Sequence, residues 1–78
     1  MQNPIPLREK FEQIADYYQV LINNGTIMPG HKIPSVDEIA CTFDVARNTA
    51  WAAVKELKRR GLVYTEHGRG TFALPRAA

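Results

Sequence analysis

The sequence predicts a mainly α fold, three helices followed by a small β-hairpin, and three observations carry the prediction. Apolar residues recur at helical intervals in three separate stretches. The second and third stretches are separated by only three to four residues, the gap of a helix-turn-helix pair. Two β-prone runs then flank a glycine-rich turn.

The first helix is read over residues 7–24, where Leu7, Phe11, Ile14, Ala15, Tyr18, Leu21 and Ile22 fall on one face. Pro6 precedes it, where a missing N–H costs little. Asn24-Gly25 stops it, because glycine accepts the left-handed conformation that ends helices. Residues 25–34 hold Gly25, Pro29, Gly30 and Pro34 and read as a connector, with Lys32 and Ile33 as a short edge strand. Ser35-Val36-Asp37-Glu38 fits a capping box and opens a short second helix that ends near Phe43-Asp44. The third helix is read over 46–60, with Ala50, Ala53, Val54 and Leu57 inward and Asn48, Trp51, Ala52, Lys55 and Arg59 on the other side. Gly61 stops it. The runs Leu62–Thr65 and Thr71–Leu74 form the hairpin around Glu66-His67-Gly68-Arg69-Gly70. This order makes the fold class a three-helix winged helix-turn-helix.

Seventy-eight residues suit one domain over 1–78, with its core within 6–74. A chain of this size buries about 60–65% of its unfolded surface, enough for one small core. No apolar run approaches the ~20 residues of a membrane span, and Met1–Pro6 lacks the pattern of a signal peptide. The single cysteine, Cys41, has no internal disulfide partner and is read as a small buried apolar residue. The expected location is the cytoplasm. No nucleophile–base–acid set, phosphate loop or metal cluster is legible, so neither an enzyme nor a cofactor is expected.

The net charge is only +2, but it is unevenly placed. Residues 1–44 balance at −3 and residues 45–78 at +5. A one-sided positive field attracts a polyanion, although the same residues also fit a solvated basic face. Arg47, Asn48 and Thr49 open the third helix, the end of a recognition helix that lies nearest the base edges. Arginine pairs with guanine, asparagine with adenine, and threonine meets a phosphate or a thymine methyl. At the hairpin tip, His67-Gly68-Arg69-Gly70 sets a cationic side chain between glycines that permit close backbone approach.

These residues carry a resemblance to the N-terminal DNA-binding domain of the GntR family of bacterial transcription regulators. The matching pieces are Pro6-Leu7 with Ile14-Ala15, then Ile22-x-x-Gly25, then Pro29-Gly30-x-x-Ile33-Pro34-Ser35-x-x-Glu38-Ile39-Ala40. Val45-x-Arg47-x-Thr49, Leu57-x-x-x-Gly61-Leu62-Val63 and Gly68-Arg69-Gly70-Thr71-Phe72 follow in order, so the resemblance covers about residues 6–74. It implies double-stranded DNA as partner, with Arg47, Asn48 and Thr49 at base- and phosphate-contacting positions. It implies a wing tip of His67 and Gly68, with Arg69 beside them, at the minor groove, and Ser35 as a cap that touches phosphate.

The chain departs from the family pattern in four ways. Asp37 stands where many members carry a DNA-contacting arginine. Ala46 replaces the usual serine or threonine, removing an N-cap worth ~1 kcal/mol. Trp51 stands where polar or basic residues are frequent, and three roles fit it: contact with DNA, anchoring of a protein partner, or folding back onto its own helix. Finally, the sequence stops just past the wing, so no small-molecule effector is expected, and a homodimer would form through the winged domain or on DNA. Lys55 joins the DNA-facing set, Lys58-Arg59-Arg60 reads as a basic last turn favoured by the helix dipole, and His31 reads as a solvated loop residue.

Three functions are therefore compared. The first is sequence-specific DNA binding with transcription regulation, most often repression in this family. The second is a DNA-architecture or excisionase-like recombination accessory, which would bind adjacent sites and bend DNA. The third is a protein-interaction module on the same scaffold, which would lack salt-dependent DNA affinity.

Overall fold

A computed structural model describes residues 9–75. Three helices, α1 (Lys10–Asn23), α2 (Val36–Phe43) and α3 (Arg47–Arg59), precede two strands, β1 (Val63–Glu66) and β2 (Gly70–Ala73). The strands form an antiparallel hairpin in which Val63 faces Ala73 and Glu66 faces Gly70. The predicted fold class is the observed one. No described helix is long and apolar enough to cross a membrane.

Helix α1 begins later than the apolar pattern suggests. Glu9 is extended, and its backbone N–H donates to the Glu12 carboxylate at 3.3 Å, which sets the start at Lys10. Pro6 and Leu7 lie outside the described residues. At the other end Asn24 caps the helix and Gly25 turns the chain at φ +86°. Helix α2 has the predicted capping box: Ser35 Oγ accepts from Glu38 N–H at 3.1 Å, and the Glu38 carboxylate accepts from Ser35 N–H at 2.8 Å. Asp44 ends it in the left-handed conformation, one of the few non-glycine types that tolerates it. Helix α3 has no side-chain cap at Ala46, as its methyl group requires.

The helices and hairpin share one core. Ile14, Ala15, Tyr18 and Ile22 enter from α1, Ile39 from α2, and Ala50, Ala53, Val54 and Leu57 from α3. Ile33, Val63 and Ala73 close the end beside the hairpin. The inward stripe of α3 is buried in full, because the four residues recur at the helical period. Alanines at 50 and 53 let α1 and α2 approach the α3 backbone, since a larger side chain there would hold them apart.

The connector adds less strand than expected. Lys32 forms one isolated bridge to Phe72, supported by Ile33 N–H to Thr71 O and Ala73 N–H to His31 O, both 2.8 Å. The hairpin strands are shifted by one residue from the predicted runs, so Glu66 and Gly70 belong to the ladder. Cys41 is exposed, which corrects the expectation of a buried residue. It lies two positions after Ile39, about 200° around the helix at 100° per residue, so one cannot be inward if the other is. His31 is exposed as expected. Tyr18 is buried, Tyr64 is half-buried against Phe72, and Tyr17 lies at the rim against Tyr18 and Phe43.

The basic end of α3 is tied to its own carboxylates. Arg59 and Arg60 both donate to Glu56, and Arg60 also reaches Asp16 and Gln19 of α1 at 2.8 Å. Hydrogen bonds from Arg59 and Arg60 lower the Glu56 pKa to about 2 from its ordinary 4.5. Since the folded value lies below the unfolded one, this carboxylate stabilises the fold above about pH 4.5. That contribution is lost as the pH falls from there through about 2. Glu56→Gln should therefore lower the melting temperature at pH 7, and the gap from wild type should close between pH 4.5 and 2. Paired thermal melts across that range measure it; a gap that does not change with pH would refute the assignment.

Candidate nucleic-acid interface

The exposed side of the α2–α3 pair begins at the turn that joins them. Asp44, Val45 and Ala46 leave α2 and enter α3, and the Asp37–Arg47 pair sets the first turn of α2 beside the first turn of α3. Arg47 and Asn48 are exposed and Thr49 is half-buried. Arg47 and Asn48 line a surface pocket together with Val36 and Trp51. Of the residues singled out in the sequence, Arg47, Asn48 and Trp51 thus meet on one surface.

Arg47 is not a free cation. Its Nε–H donates to Asp37 Oδ1, ten residues earlier on α2. Both side chains remain 72% exposed, so the pair sits on the surface and not in the core. Asp37, read from the sequence as a departure from the family pattern, is the partner of the main candidate reader.

Trp51 is 45% exposed, the next turn along from Arg47. The ammonium groups of Lys55 and Lys58 lie 5.9 and 6.0 Å from its ring centroid. Cations at this distance are attracted to the negative face of the indole. Neither lysine has a carboxylate partner among the described residues. Lys58 was grouped in the sequence with Arg59 and Arg60, but those two turn to Glu56 and Asp16 while Lys58 joins Trp51. The spacing of seven between Trp51 and Lys58 signals one helix face. Val36 had no polar signal and was missed; only the approach of α2 to α3 places it in the pocket.

Ser35 stands one residue before α2, with its oxygen accepting the capping bond. Its hydroxyl proton remains able to donate outward. The hairpin tip is open: His67, Gly68 and Arg69 are exposed, and Gly68 turns at φ +79°. Arg69 pairs loosely with Glu66, Nε to Oε1 3.4 Å. Gly70 is half-buried at φ +131°, and a Cβ there would come within 2.5 Å of Lys32 Cε. The glycine therefore gives the Lys32 side chain room beside the wing, and Lys32 is a basic residue at the hairpin that the sequence reading placed on an edge strand without a functional role.

The positive half of the chain is thus partly neutralised within the molecule. Arg59 and Arg60 are held by carboxylates, Arg47 by Asp37. Among the described residues of that half, Lys55 in the middle of α3, Lys58 in its last turn and the loosely paired Arg69 at the hairpin tip remain outward, with His67 exposed beside Arg69. Two separate protrusions, a helix edge and a hairpin tip, suit an elongated polar ligand better than a small molecule.

Comparison with known proteins points the same way. Residues 10–73 match the family model described as bacterial regulatory proteins, gntR family. The chain is 42% identical over 62 residues to the HTH-type transcriptional repressor YtrA of Bacillus subtilis, covering 80% of this chain and 48% of that protein. It is 38% identical over 71 residues to the repressor NagR of the same organism, covering 91% of this chain and 28% of that protein. Its fold matches the DNA-binding domain of AraR, solved in complex with operator ORX1, with a TM-score of 0.81 at 35% identity. That match covers 94% of this chain and 90% of the other.

Proposed function

The chain belongs to the gntR family of bacterial regulatory proteins, and on that premise we propose that it binds double-stranded DNA at a specific sequence and regulates transcription by occupying it, as a repressor. The first turn of α3 enters the major groove, where Arg47, Asn48 and Thr49 meet base edges and phosphate. The hairpin tip, His67 to Gly70, lies at the minor groove. Lys55 and the Ser35 hydroxyl contact phosphates, and Trp51 faces the duplex beside Arg47. A cytoplasmic location goes with this role, and no catalytic chemistry does.

The observation that carries the reading is the exposed edge of Arg47 and Asn48 on a fold shared with the AraR domain that was solved on its operator. The test is selection of bound duplexes from a random-sequence library by the purified protein, followed by a salt titration on the enriched site. One motif should emerge. Its affinity should fall linearly in log–log form with salt, by about 0.9 per phosphate neutralised. A palindromic motif with half-sites one helical turn apart would report a dimer on DNA. Strong binding without a motif, with bent duplexes, would replace regulation by an architectural role. No salt-dependent affinity would refute DNA binding and leave a protein-contact module.

A further inference from the structure

We propose that Asp37 is a positioning residue for base recognition: it holds Arg47 so that the arginine reads guanine and does not settle on phosphate. The inference rests on the DNA-reading role given to Arg47 above. Its geometric basis is the atom through which the pair is made. Asp37 Oδ1 takes the Nε–H of Arg47, at the inner edge of the guanidinium. Four N–H groups on the two terminal nitrogens stay outside that bond. Those groups form the end-on fork that matches guanine O6 and N7 in the major groove. Arg47 can therefore keep Asp37 and bind guanine at once.

Phosphate is a worse choice for the same pair. An unpaired arginine on a flexible stem binds any backbone oxygen it reaches, at every sequence. Here the carboxylate neutralises the charge that drives such contacts. Drawing Arg47 away to a phosphate would leave Asp37 exposed beside a polyanion. Tethering also removes rotamer freedom before binding, so less order is lost when the fork meets its base. Both effects weaken non-specific binding while sparing the guanine contact. Asp37 thus trades electrostatic affinity for sequence choice. Its own place supports this: it lies in the first turn of α2, where a carboxylate is favoured by the helix N-terminus.

The test compares wild type, Asp37→Asn, Arg47→Ala and the double variant. Each is measured against the duplex that wild type selects and against a scrambled duplex of equal composition. Asp37→Asn should raise affinity for the scrambled duplex roughly 3- to 10-fold at 0.1 M salt and steepen its salt slope by up to ~0.9, the value for one more phosphate neutralised. The ratio of selected to scrambled affinity should fall about tenfold, with melting temperature lowered by a few degrees at most because the side chain is exposed. In the Arg47→Ala background the same substitution should leave the ratio unchanged. If Arg47→Ala collapses the ratio while Asp37→Asn does not, the positioning role is overturned and the reading of Arg47 survives. If Arg47→Ala leaves the ratio intact, or no motif is selected at all, both fall.

Discussion

Leu57→Ala is expected to cost about 2–5 kcal/mol, the range for deleting most of a buried leucine side chain. Leu57 is fully buried in α3, in the one cluster to which α1, α2 and the hairpin all contribute. Part of the loss is transfer of the missing carbons, and part is the cavity left among neighbours that cannot all collapse into it. For 78 residues, folding stability is on the order of 4–12 kcal/mol at ordinary per-residue values. The substitution therefore removes a large fraction of it. Thermal melts should show a fall of at least about 8 °C, given ~4–8 °C per kcal/mol at this size. Val20→Ala on α1 is the matched control: Val20 is 58% exposed, and the change should stay within ~0.5 kcal/mol. Equal effects at the two positions would mean that the core lies elsewhere. The consequence for function follows from packing, because Leu57 and the first turn of α3 are carried on one helix. A variant with a loosened core should lose DNA affinity in proportion to its unfolded fraction, and recover it on cooling.

The features legible in the sequence are those that act within one element. The α3 stripe of Ala50, Ala53, Val54 and Leu57 follows from a period, and the Ser35–Glu38 box from a spacing of three. Residue type without phase misled at Cys41, because cysteine is often buried while its position on α2 faces outward. The start of α1 was placed too early because Leu7 fits the apolar period, whereas Glu9 and Glu12 terminate the helix by a local hydrogen bond. Side-chain contacts between the helices could not be read. Arg60 meets Asp16 across 44 positions, and Arg47 meets Asp37 across a turn whose angle no pattern specifies. That is why the charge asymmetry overstated the available positive surface, and why Asp37 looked only like a departure. The candidate reading residues themselves were legible, since a helix start after a short turn exposes whatever side chains stand there.

Arg47→Ala should have the largest effect on recognition. A bidentate arginine–guanine pair is worth about 1–3 kcal/mol of discrimination, so affinity for the selected duplex should fall roughly 5- to 160-fold. The form of the loss separates two roles. A phosphate-binding arginine would weaken all sequences alike, and its removal would reduce the salt slope by about 0.9. Arg47 is already paired with Asp37, so it adds little net charge to the surface. Its removal should leave the scrambled duplex bound within a few-fold and the salt slope nearly unchanged. The freed Asp37 carboxylate would, if anything, repel backbone phosphates and lower both affinities slightly. Repeating the selection with the variant gives the decisive readout: one guanine position per half-site should become degenerate while the rest of the motif persists. Asn48 and the wing still set those remaining positions in this account. A motif that keeps every position while affinity falls uniformly would move Arg47 from the bases to the backbone. It would also shift the reading of bases to Asn48 and Trp51, the two other side chains that share its pocket.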